Sequence, residues 1–193
     1  GLVMQGYVPL LREALRAMPE TPTHVFIQAG VGGVAAAIAG HLAVVFGEER
    51  PRFVVVEPAR AACVLETARA DRIVKIEDGE ATVMAMLECY EPSLVAWRIL
   101  SRVADGFMTV DEDDAVSAMK RLGKPVAGDP AIVAGESGGV GLAGLVRALK
   151  DDTAREMLRL DRTSRIFLVN TEGATDPALY EKLTGLRPGD IRA

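Results

Sequence analysis

Apolar residues along this chain alternate between helical and strand spacing. Leu10, Leu11, Ala14, Leu15 and Met18 form a helical stripe that Pro19 and Pro22 close. Thr23–Ala29 then reads as a continuous apolar strand of the kind buried on both faces. The opening Gly1–Gly6 reads as extended. After Gly30–Gly33, an alanine-rich helix is predicted to about Phe46, with Gly47 just beyond its end. Arg52–Val56 is a second central strand that ends in Glu57-Pro58. Ala61–Ala70 reads as a helix, Ile73–Ile76 as a short strand, and Ala81–Cys89 as helical by composition. Pro92 starts a helix through Ala104, and Phe107–Val110 is a strand. Asp111 caps a helix over Glu112–Leu122, whose first turn is acidic as the dipole prefers. Gly123–Asp129 is a loop. Helices follow over Val140–Lys150 and Asp151–Arg159, then a strand over Arg165–Asn170, a last helix over Pro177–Leu183, and a loose tail over Gly185–Ala193.

Strands that alternate with helices in this way predict an α/β fold. The expected form is a three-layer, open, mostly parallel twisted sheet with helices on both faces. Ligands in such sheets bind beyond the carboxyl ends of the strands. Three glycine-marked turns stand at such ends: Gly30–Gly33, Gly135–Gly139 and Thr171–Gly173.

Composition narrows the function classes. The 193 residues suit one domain, and 49% hydrophobic with 25% charged residues matches a globular chain. A net charge of −5 without a Lys/Arg cluster argues against nucleic acid or an anionic membrane as partner. With no long apolar run and no basic leader, the expectation is a cytoplasmic protein. Cys63 and Cys89 lack metal or redox spacing and read as helix-embedded buried thiols; with only His24 and His41 beside them, no metal site is expected.

Each glycine turn has more than one chemical reading. Gly30-Val31-Gly32-Gly33-Val34-Ala35 matches G-x-G-x-x-A, and Glu57 lies where a ribose-binding acid would stand in a nicotinamide-dependent oxidoreductase. The same backbone amides would cradle any other phosphate, or the glycines could serve close packing alone. Gly135-Glu136-Ser137-Gly138-Gly139 matches the G-x-S-x-G elbow of serine hydrolases, but no histidine follows it to act as base. Asn170-Thr171-Glu172-Gly173 ends a buried run with a hydroxyl that suits a heteroaromatic nitrogen, or is simply a capped turn.

Taken together, these turns resemble the fold-type II pyridoxal-phosphate enzymes, and within them the ammonia-lyases acting on 2,3-diaminopropionate. The matching stretches are Met4–Tyr7, Pro22–Gly33, Val54–Pro58, Glu80–Ser93, Gly128–Leu145 and Asn170–Asp176, in the family's order. The resemblance implies that the amides of Gly30, Val31, Gly32, Gly33 and Val34 hold the phosphate of pyridoxal 5′-phosphate. It implies that Thr171 faces the ring nitrogen, and that Glu136 and Ser137 lie near ring and substrate. The implied reaction is α,β-elimination of a small amino acid to pyruvate and ammonia, in a homodimer. A serine/threonine dehydratase-like specificity stays open, because Tyr90 is bulkier than the family's usual residue there.

The resemblance also implies a gap. The family's cofactor-bearing lysine and substrate acids lie before the stretch that matches Gly1, and none of Lys75, Lys120, Lys124, Lys150 or Lys182 falls in a matching motif. Residues 1–193 are therefore expected to be the C-terminal, phosphate-binding part of such a lyase, without a catalytic residue of its own and silent alone.

Overall fold

The computed structural model describes residues 2–126 and 128–191, with the side chains of Leu2 and Val3 left aside. Its centre is a four-stranded sheet in the order β3-β2-β1-β4, formed by β1 (His24–Gln28), β2 (Arg52–Pro58), β3 (Gly106–Val110) and β4 (Ile166–Leu168). Every pairing among them is parallel; Val25 stands beside Phe53 on one side and Phe167 on the other. Parallel strands need covered faces, and all five residues of β1 are buried.

Alternation along the strands sorts the core into two layers. Val25, Ile27, Phe53 and Val55 point into one cluster, with Leu11 of α2 (Val8–Ala17), Ile38 and Leu42 of α3 (Gly33–Phe46), Val64 of α4 (Cys63–Ala70), and Ala96 and Leu100 of α5 (Leu94–Val103). Phe26, Val54 and Val56 point into the other, with Ala115 and Ala118 of α6 (Glu112–Gly123) and Val140 and Ala143 of α7 (Val140–Lys150). The layers are therefore helix, sheet, helix, as the sequence predicts. Asp111 and Asp114 form a reciprocal capping box at the start of α6, and Arg147 of α7 bridges both carboxylates at 2.7 Å. The short α8 (Asp152–Leu158) leads back to β4, and α9 (Pro177–Thr184) packs on α6.

Four expectations fail. The opening segment is a short helix, α1 (Leu2–Gln5), whose Met4 packs against the first core layer; Gly1 lies outside the described residues. No strand forms over 73–76, where Thr67 Oγ1 takes the amide of Val74 and Tyr90 O that of Ile76. The segment 81–89 has only a single 3-10 turn, Ala85–Leu87. Its polar backbone is claimed from outside: Glu112 accepts from Thr82 Oγ1 at 2.7 Å and from the Val83 amide at 2.6 Å. Side chains that suit a helix by composition thus follow an irregular, turning path that buries Met84 and Leu87. The tail is not loose as far as Ile191: it makes a 3-10 turn, Pro188–Asp190, and Leu186 and Ile191 close against Gly123; 192–193 lie outside the described residues.

Candidate active site

At the carboxyl end of β1 the chain turns through Gly30–Gly32 into α3. Gly32 is the N-cap at φ +86°, where a side chain would be strained and would crowd Leu100 and Ala96. That turn leaves the first amides of a fourteen-residue helix without intrahelical acceptors. Two further turns meet it. The amide of Gly135 donates to Glu172 O at 2.9 Å, and that of Ser137 to Glu172 Oε2 at 2.8 Å. A Cβ on Gly135 or Gly138 would strike the backbone of 172–173 or the side chain of Asn170, so these glycines serve close approach of two chain segments. The G-x-S-x-G spelling has this packing as its cause. Ser137 Oγ accepts from the Met86 amide at 3.2 Å, and His24 is bound elsewhere, to Leu158 O, at the opposite end of β1.

Between these turns lies a cavity of about 580 Å³, within the range of small-molecule sites. Gly30, Val31, Gly32, Gly33, Val34 and Thr171 all line it, as do Ser137, Glu172 and Gly173. Glu136 does not; it is buried at 6% exposure, and burial raises its carboxyl above the ordinary range. Tyr90 is also absent from the wall. Its hydroxyl donates to Glu88 at 2.7 Å, a bond that pushes the phenol up to about 12.

Sequence reasoning missed several lining residues: Met4, Tyr7, Gln28, Met86, Leu87 and Cys89. The matching stretches Met4–Tyr7 and Glu80–Ser93 held most of that signal. Cys89 is neither helical nor fully buried, a correction to the expectation of a helix-embedded buried thiol, and its Sγ lies against Gly30. Cys63, which starts α4, is buried, and its thiol is directed to Gly30 O at 3.6 Å.

Glu57 does not face this cavity. It is fully buried, and its two oxygens accept from the Val64 and Leu65 amides at 2.8 and 2.7 Å, closing the start of α4. Burial pushes its carboxyl up to about 8 against the pull of those amides. Held to the helix start and fully buried outside the cavity wall, it is not presented to a ribose there, which removes the acid that a dinucleotide site requires.

The residues present fit pyridoxal phosphate. A helix N-terminus with open amides suits a phosphate, and the space that a Cβ would take at Gly33 or Gly173 is empty. A hydroxyl stands across the cavity at Thr171. A family model described as pyridoxal-phosphate dependent enzyme matches residues 1–182. The chain belongs to that family. It is 37% identical over 188 residues to a diaminopropionate ammonia-lyase of Escherichia coli, covering 94% of this chain and 47% of the relative. Among solved structures, that of the Escherichia coli diaminopropionate ammonia lyase in complex with an aminoacrylate-PLP azomethine reaction intermediate superposes with a TM-score of 0.86 at 36% identity, covering 94% of this chain and 48% of the other. The same enzyme in complex with D-serine gives a TM-score of 0.84 at 35% identity, with 94% and 47% covered. The chain thus has the fold-type II architecture and spans about half the length of the curated relatives it matches.

Proposed function

We propose that this chain supplies the phosphate- and ring-binding half of an ammonia-lyase that eliminates the β-amino group of 2,3-diaminopropionate, giving pyruvate and ammonia. The observation that carries this reading is the convergence of the three turns on one cavity. The amides of Gly30, Val31, Gly32, Gly33 and Val34 anchor the phosphate by backbone and helix dipole. Thr171 donates to the ring nitrogen, and Ser137 borders the substrate. When bound, pyridoxal phosphate supplies the electron sink for the carbanion.

The lysine that carries the cofactor belongs, in this reading, to a segment other than residues 1–193. Support comes from the family resemblance, in which none of Lys75, Lys120, Lys124, Lys150 or Lys182 falls in a matching motif. Alone, the chain binds the phosphate weakly and releases no ammonia. The reading extends to a cytoplasmic homodimer, supported by two free thiols and by the exposed Val44 and Val45 on α3.

Equilibrium binding of pyridoxine phosphate, which has ring and phosphate but no aldehyde, tests the site. Saturable binding that inorganic phosphate competes away is expected, with none for NADH. Tighter binding of NADH, or ammonia release from diaminopropionate by the 193-residue chain alone, would overturn the reading. Ammonia release after addition of the lysine-bearing segment, faster from diaminopropionate than from serine, fixes the substrate.

A further inference from the structure

Gln28 is the polar residue at the end of β1, only 4% exposed and part of the cavity wall. Its Nε2 donates to Val169 O at 2.8 Å and to Thr171 Oγ1 at 2.8 Å, with Gly138 O at 3.4 Å. Carbonyl oxygens only accept, so the atom that faces them is the NH₂ group. The buried Oε1 has no partner among the described residues. A reversed amide would set oxygen against two carbonyls and leave its NH₂ without an acceptor. The carbonyls of Val169 and Gly138 therefore fix the amide orientation from the Nε2 end.

This orientation decides what Thr171 can do. A hydroxyl carries one proton. Because Thr171 Oγ1 accepts from Gln28, that proton remains free for an acceptor on the cavity side. The geometry points to Gln28 as a positioning residue that makes Thr171 a hydrogen-bond donor to the cavity, selecting an unprotonated ring nitrogen. The inference rests on the cofactor reading above and adds the residue that sets the direction of the proton. Gln28 occupies one of the hydroxyl's two lone pairs, so a pyridinium N–H would have only the other and would have to turn the hydroxyl proton away from the ring, whereas a neutral nitrogen accepts that proton directly and is favoured.

The test is nitrogen NMR of isotopically labelled pyridoxine phosphate bound to the 193-residue chain and titrated with acid. In the parent chain the bound nitrogen should keep its neutral-pyridine shift at a pH where the free compound is protonated. Gln28→Met, similar in volume and uncharged, should raise the protonation constant of the bound ring roughly tenfold, the scale of one hydrogen bond. In a Thr171→Val background the same substitution should change nothing further. An unchanged constant in Gln28→Met, or a change that persists with Thr171→Val, overturns the role. If Gln28→Met fails to fold by circular dichroism, the parent titration decides: a bound nitrogen that protonates where the free compound does overturns it. Failure of the parent chain to bind the compound overturns the cofactor reading instead, and this role with it.

Discussion

The amide of Ser137 and the carboxylate of Glu172 meet at 2.8 Å, and the same glutamate's backbone oxygen takes the amide of Gly135 at 2.9 Å. One residue after β4 thus fixes the turn that leads into α7. Glu172→Ala should weaken pyridoxine phosphate binding about tenfold, as expected for a lost hydrogen bond to a charged group. Glu172→Gln keeps an acceptor and should retain most of the affinity. Calorimetric titration of both variants checks this.

Gly32 is the residue at which the turn admits no side chain. At φ +86° an alanine costs about 1–2 kcal/mol before its contacts with Leu100 and Ala96, at 3.2 and 3.3 Å, are counted. Gly32→Ala should lower the melting temperature and abolish detectable phosphate binding. Gly33→Ala, whose Cβ meets nothing within 4 Å, should leave stability nearly unchanged while lowering affinity. Thermal melts paired with binding isotherms separate the two effects.

Glu57 makes stability fall with rising pH. Its carboxyl moves from an ordinary 4.5 to about 8 on folding, chiefly through burial. Below about 4.5 both folded and unfolded chains hold the proton, and this contribution is fully present. Between there and about 8 the unfolded chain releases a proton that the folded chain keeps, so stability drains away by a few kcal/mol, on the order of 1.4 per pH unit. Relative to the parent, Glu57→Gln should be the less stable chain at the acid end and the more stable at the alkaline end. Urea melts at several pH values would show the crossing.

The two thiols should differ in access. Burial, helped by the charge of Glu57, pushes Cys63 up to about 12, and it should resist alkylation in the folded chain. Cys89 is raised as well but borders the cavity, so it should react slowly and be protected by pyridoxine phosphate. Mass spectrometry after iodoacetamide treatment, with and without the compound, reads both sites.

The layers and the three turns were legible because periodicity and glycine placement are local signals. β1 and α3 follow the predicted boundaries within a residue. What stayed hidden depends on partners distant in the chain. Nothing near Thr82 or Val83 announces that Glu112 will take their donors and keep the segment out of a helix. Glu57 has the spacing of a ribose ligand, and only the fold reveals that two amides of α4 occupy it. Gln28 reads as one more residue of a buried strand until Thr171 and Val169 are brought beside it.

The sheet order carries a consequence for how the chain is made. Among the described strands, β4 is the last in sequence and pairs with β1, the first, so that Gln28 meets Thr171 across a separation of 143 residues. The glycine turn and α3 precede the opposite wall of the cavity, which arrives only with β4. Ligand capture at this cavity would therefore require the long loop between β1 and β4 to be closed. A compound bound between them would act as a late clamp, expected to slow unfolding and raise the melting point by mass action while leaving the rate of folding to the chain.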